Sequence, residues 1–162
     1  MTIPLTQAKY TILDMDDYDR AIESMINWHT GKRKGIIYAV GGKKGKIILL
    51  HRFIMEAQPG EEVDHINGDG LDNRRSNLRL CTHAENQHNR GKQKNNKSGY
   101  KGVSLTSGGK RYTALIKANG IQHRLGYFTD PVDAARAYDK AALELHSEFA
   151  LLNFPDENKG AS

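Results

Sequence analysis

The spacing of apolar and polar positions divides the 162-residue chain into three blocks. In the first, residues 9–13 alternate and predict a short strand, and residues 16–28 carry Tyr18, Ile22, Met25 and Ile26 on one side of an amphipathic helix. Residues 35–40 and 46–53 read as two strands of a hairpin across 41–45, where glycine supplies the positive φ of a tight turn. The second block, 60–90, predicts a strand at 63–66, a polar loop at 67–76, a strand at 78–81 and then a helix. Thr82 with Glu85 three residues on is the Thr-x-x-Glu pattern of a helix N-terminus.

Residues 91–98 (Gly-Lys-Gln-Lys-Asn-Asn-Lys-Ser) have almost nothing to bury and read as a basic linker. Beyond them, 100–105, 111–118 and 121–128 predict three strands with turns at 107–109 and 119–120. Asn119-Gly120 between two alternating runs is a strong hairpin signal. Pro131 fits the first turn of a helix reaching about residue 146. Its Ala134, Ala137, Tyr138, Ala141, Ala142 and Leu145 form a narrow face suited to lying close against a sheet. The fold class expected is α+β, with domains at 1–90 and 99–155 and a tail at 156–162.

Composition narrows the class. A hydrophobic share of 38% and no apolar run of the ~20 residues that span a bilayer argue against a membrane protein. The first ten residues lack the basic-then-apolar layout of a secretory signal, so a cytoplasmic location is expected. Cys81 is the only cysteine, which excludes an internal disulfide and any Cys₄ or Cys₂His₂ zinc site; a buried thiol is its expected role. The net charge of +5 is unevenly spread. Residues 86–129 contain no Asp or Glu but hold nine Lys and Arg, the footprint of a surface facing a polyanion.

The candidate chemistry lies at Asp64-His65, followed by Asn67-Gly68-Asp69-Gly70, Asp72-Asn73 and Asn77. Phosphodiester hydrolysis needs oxygen ligands for a hard cation, a base titrating near neutrality, and a group to orient that base; carboxylates, imidazole and Asn side chains supply these. The same residues also make ordinary turns, but they lack the twelve-residue spacing of a calcium-binding EF-hand loop.

Val63-Asp64-His65-Ile66-Asn67-Gly68-Asp69, Asp72-Asn73-Arg74, Ser76-Asn77-Leu78-Arg79 and Glu85-Asn86 together resemble the HNH endonuclease family, in particular its phage and intron homing-type members. The likeness extends upstream through Leu50-His51-Arg52-Phe53-Ile54-Met55. The resemblance implies a ββα-metal fold at 60–90, with His65 as general base, Asp64 as metal ligand, and Asn77 tying down the loop and helping to set His65. Its last motif position falls on Asn86, where many members carry His; an amide oxygen favours Mg²⁺ or Mn²⁺ over Zn²⁺. His83 or His88 is the alternative at that position, and a structural zinc site of Cys81, His83 and His88 is a more remote one.

A second resemblance covers most of 98–155. Tyr100-Lys101-Gly102-Val103-Ser104, Leu125-Gly126-Tyr127-Phe128, the run Asp133 to Ala142 and Leu151-Leu152-Asn153-Phe154-Pro155 are similar to the AP2 DNA-binding domain, which implies three antiparallel strands on one helix. The outer sheet face would then meet double-stranded DNA through Lys101, Ser104, Thr113, Leu115, Lys117, Gln122 and Arg124. Lys110 and Arg111 beside the sheet and Lys92, Lys94 and Lys97 in the linker would add phosphate contacts. Ser104, Leu115 and Gln122 stand where plant members carry Arg or Trp, so their sequence preference does not transfer.

The function expected is a metal-dependent DNA endonuclease of a phage or mobile element; the alternative is a non-catalytic DNA-binding protein with a decayed HNH centre. One set of hydrolytic groups suits nicking, or paired cutting by two copies, and leaves monomer or dimer open.

Overall fold

The computed structural model describes residues 1–92 and 95–158; Lys94 therefore lies outside the described residues. The chain divides into two units, Met1–Asn86 and a second beginning at Gln87, ahead of the linker expected at 91–98.

In the first unit β1 (Thr2–Pro4) pairs antiparallel with β2 (Tyr10–Ile12), and α1 (Met15–Glu23) follows. A three-stranded antiparallel sheet is built from β3 (His29–Arg33), β4 (Ile36–Lys43) and β5 (Lys46–Leu49), with β4 central. β5 runs directly into α2 (Leu50–Ile54). Then β6 (Glu62–His65) and β7 (Leu78–Cys81) form a two-stranded ribbon, and α3 (His83–His88) completes a strand–loop–strand–helix order. Trp28, Leu13, Ala21, Leu50, Ile54, Val63 and Leu78 meet in a single core cluster.

Three expectations are corrected here. The first helix stops at Glu23, not near residue 28, because Ser24 turns back on the Ala21 carbonyl (2.7 Å) and Met25 adopts φ +54°, a left-handed conformation that no helix continues through. Met25 is 94% exposed and Ile22 is exposed too; the buried side of α1 is carried by Asp17 and Ala21. Second, residues 50–53 are helical, since Leu50 and Ile54, four apart, share one buried face with His51. Third, β3 (His-Thr-Gly-Lys-Arg) gives no alternating pattern and is recruited by pairing with β4, where Gly31 lies opposite Tyr38.

Two polar anchors set the loop that carries the candidate chemistry. Asp17, only 1% exposed, accepts from Arg75 Nε (2.8 Å) and Nη2 (2.9 Å), while Asp14 accepts from the Arg75 backbone N–H (2.8 Å). These bonds pin the 3-10 turn Arg75–Asn77 to α1. On the other side β2 forms a parallel bridge to the loop, Ile12 to Asp72, with Ile12 N donating to the Leu71 carbonyl (2.9 Å) and Asn73 N to the Ile12 carbonyl (2.8 Å).

The second unit is a three-stranded antiparallel sheet, β8 (Val103–Leu105), β9 (Tyr112–Ala118) and β10 (Ile121–Phe128), with β9 central and α4 (Pro131–His146) on one face. Asn119 (φ +51°) and Gly120 (φ +79°) form the expected tight hairpin turn. Asp130 caps α4 through the Val132 N–H (2.8 Å). Ala114 and Ile116 are buried against the small face of α4, as the alternation predicts. The helix is rotated from the expected register, however: Ala135 is fully buried and Leu145 is exposed. Gly102 (φ +73°) lies so close to Tyr138 that a Cβ would come within 2.0 Å of the ring. Buried Asp139 accepts from the backbone N–H groups of Asn153 and Phe154 (both 2.8 Å), which fastens the chain after the helix. Among the described residues no helix is long and apolar enough to cross a membrane.

Candidate active site

Strand alternation places Glu62 and Asp64 on one face of the β6–β7 ribbon and Val63 and His65 on the other. Asp64 stands opposite Arg79 in the antiparallel register, and Arg79 donates to Asp64 Oδ2 from Nη2 (2.8 Å) and Nε (3.1 Å). This ion pair fixes the carboxylate against the strand with little exposure, at 7% for the residue. On the same face Glu62 Oε2 accepts from Asn86 Nδ2 (2.5 Å), and His83 Nδ1 lies 2.7 Å from Glu62 Oε1. The reciprocal bonds of Thr82 and Glu85 (2.7 and 3.3 Å) start α3 where the sequence predicts. Asn86 is thereby brought to the side of the ribbon that carries Asp64, with its amide nitrogen committed to Glu62.

The opposite face is a small aromatic nest. His65 is 5% exposed, and the edge of the equally buried His51 ring meets it at 4.9 Å and 81° between planes. Tyr38 lies 5.4 Å from His51 and 5.9 Å from His65. Burial lowers the pKa of His65, outweighing the hydrogen bond to Asn73 and the charge of Asp64, which act the other way. Burial also pushes His51 down to about 3, assisted by His65, Arg52 and Arg33. Both imidazoles are therefore neutral at pH 7, the form in which His65 accepts a proton.

Asn77 holds the loop. It receives the Asn67 N–H on Oδ1 (3.0 Å) and donates from Nδ2 to the Asp72 carbonyl (2.7 Å) and to Asn67 Oδ1 (3.0 Å). Asn73 Oδ1 lies 3.1 Å from His65 Nε2, whereas the resemblance gives the orienting part to Asn77. Asp72 is bracketed by Arg74 Nε (2.8 Å) and Nη2 (2.6 Å), bonds that hold its carboxyl below the usual range.

The zinc alternative is not assembled. Burial pushes the Cys81 thiol up to about 11, His83 is engaged with Glu62, and the His88 ring stacks on His146 at 3.7 Å in the second unit. Among the described residues no three His, Cys, Asp or Glu groups converge as a metal cluster.

In the second unit the outward face of β9 carries half-buried Thr113 and Leu115 and exposed Lys117. Ser104, Arg124 and Gln122 stand opposite them in register, all exposed. Lys110, Arg111 and Lys97 are exposed, and Lys92 donates to the Gly99 carbonyl (2.9 Å). Lys101 departs from this face: its ammonium donates to the His88 carbonyl, lies 5.8 Å from the Tyr138 ring centroid, and is lowered by burial to about 8. Tyr127, named in the sequence only as part of the Leu125–Phe128 motif and given no contact role, has the guanidinium carbons of both Arg111 and Arg124 at 5.3 Å from its ring centroid. Its place in the 121–128 alternation was the available signal. Glu62, Arg79 and His51 were likewise given no role, and Asn73 was named only as a member of the candidate cluster; Arg79 stood within the downstream motif and His51 within its upstream extension.

Residues 49–88 match the HNH endonuclease family. The chain is 36% identical over 138 residues to an uncharacterized HNH endonuclease, L560, of Acanthamoeba polyphaga mimivirus, covering 82% of this chain and 69% of that protein. It is also 33% identical over 91 residues to Protein 3.8 of Escherichia phage T7, covering 56% of this chain and 74% of that one. The matched segment spans the β6–β7–α3 unit, within which Asp64, His65, Asn77 and Asn86 lie, and the chain belongs to the HNH endonuclease family of nucleases.

Proposed function

We propose that the protein is a metal-dependent DNA endonuclease of the homing type, encoded by a phage or mobile element and acting in the host cytoplasm. The observation that carries this reading is the division of labour across one ribbon: Asp64 and Asn86 on one face, and neutral, buried His65 on the other. Asp64 and Asn86 would hold Mg²⁺ or Mn²⁺, which when bound neutralises charge developing on the phosphate. His65 takes the proton of the attacking water, and Asn77 keeps the 67–77 loop in shape beneath it. Arg79 holds the Asp64 carboxylate in place. Cutting of supercoiled plasmid and phage DNA in Mg²⁺ or Mn²⁺, stopped by EDTA, is the expected result. DNA binding without cutting in any divalent metal would return the protein to the non-catalytic alternative.

We further propose that residues 99–155 form an AP2-type DNA-binding domain, supported by the sheet-on-helix arrangement of β8–β10 and α4. Its outward face carries Ser104, Thr113, Leu115, Lys117, Gln122 and Arg124, with Lys110 and Arg111 at its margin and the linker lysines adding charge. The triple variant Arg111→Ala, Lys117→Ala, Arg124→Ala removes exposed cations without touching the buried side of the sheet. Removing one cation that neutralises a phosphate lowers the slope of log affinity against log salt by about 1. An unchanged slope for the triple variant, measured by fluorescence anisotropy across a salt series, would rule this face out.

A further inference from the structure

The bond between His65 Nε2 and Asn73 Oδ1 is the end of a chain that begins in β2. Thr11 Oγ1 donates its single hydrogen to the Leu71 carbonyl (2.8 Å). That oxygen can then only accept, and the group it faces is Asn73 Nδ2 at 2.7 Å. With its nitrogen so committed, the Asn73 amide must present its oxygen to His65 at 3.1 Å. An amide oxygen accepts and never donates, so His65 Nε2 carries the hydrogen and, in the neutral ring, Nδ1 carries the lone pair. Both relay residues are fully buried at 0% exposure, so no solvent competes for these bonds. The parallel bridge of Ile12 to Asp72 holds the two segments in this register.

We propose that Thr11 and Asn73 are positioning residues that lock His65 in its Nε2–H tautomer, so that the proton-accepting nitrogen is Nδ1. The catalytic consequence rests on His65 being the general base; the tautomer lock itself does not. Thr11 lies in a short strand far from the motif in sequence and touches no reacting atom.

The test uses the full-length, metal-free protein with ¹⁵N-labelled histidine, and reads the His65 ring nitrogens by long-range ¹H–¹⁵N correlation. The native protein should show Nε2 protonated and Nδ1 unprotonated. Thr11→Val keeps the shape but removes both the acceptor and the donor, which frees the Asn73 amide to turn. It should give a mixed or inverted tautomer and lower the single-turnover rate of plasmid nicking in Mg²⁺ by about 10-fold with unchanged DNA affinity. Thr11→Ser should restore both readouts. Asn73→Asp, which can only accept at this position, should keep Nε2 protonated and serves if Thr11→Val fails to fold. A native Nδ1–H ring, or a Thr11→Val protein with the native tautomer intact, overturns the proposal. A His65→Ala protein that cuts like the native one would remove the general-base reading while leaving the tautomer measurement to decide the lock.

Discussion

His65→Ala is expected to lower the first-order rate constant for phosphodiester cleavage about 10³-fold, the middle of the range for losing a positioned general base. That corresponds to about 4 kcal/mol of barrier. DNA affinity should stay within about 2-fold, because a buried base contributes to the transition state and not to ground-state binding. The effect is chemical only if the fold survives, and His65 is one wall of the nest with Tyr38 and His51. His65→Gln, which fills more of the space but cannot act as a base near neutrality, should be almost as slow as His65→Ala. Single-turnover nicking at saturating protein separates the rate from binding. A His65→Gln rate within a few-fold of native would show that the side chain fills space and nothing more.

The parts of this molecule that could be read from sequence are those whose partners lie close along the chain. The capping bonds of Thr82 and Glu85 span three residues, and the turn at Asn119-Gly120 is set by two. The Asp64-to-Asn86 spacing is likewise contained in one strand–loop–strand–helix segment. What escaped reading depends on contacts between distant segments. Thr11 and Asn73 are separated by 62 positions, and nothing in Lys-Tyr-Thr-Ile marks Thr11 as anything but a strand residue. Asp17 looks like one more acid on a polar helix face, and only the arrival of Arg75 from 58 positions away makes it the buried anchor of the motif loop. β3 has no apolar period because its stability comes from pairing with β4.

The same distinction explains the assignment of the group that orients His65. Resemblance offered Asn77, an Asn at a fixed spacing, and that residue is indeed buried at the base of the loop. Its amide is fully engaged by Asn67 and Asp72, while Asn73, four residues earlier, reaches the imidazole because the Ile12–Asp72 bridge draws it inward. Spacing identifies which residue types are present; the backbone path between them decides which one touches which.

The second large effect is on stability against acid, and it is carried by His51. Its pKa falls from 6.5 to about 3 in the folded protein, chiefly because burial opposes the charged ring. Between those values the unfolded chain binds a proton that the folded one refuses, so the contribution is complete above pH 6.5 and is lost as pH falls toward 3. Linkage sets the slope at about 1.4 kcal/mol per pH unit and the total at no more than about 5 kcal/mol. His51→Phe has no proton to take up and leaves no buried nitrogen such as Nδ1, which has no hydrogen-bond partner among the described residues. At pH 7 the variant should therefore be at least as stable as the native protein, and between pH 6 and 4 its stability should fall less steeply by about 1 kcal/mol per unit. Trp28, the single tryptophan, is buried in the same core cluster as Leu50 and reports the unfolding of this unit alone by fluorescence in urea. Parallel stability–pH curves for the two proteins would mean that His51 titrates normally. The packing of its ring on His65 would then have to be looser than the 4.9 Å edge contact describes.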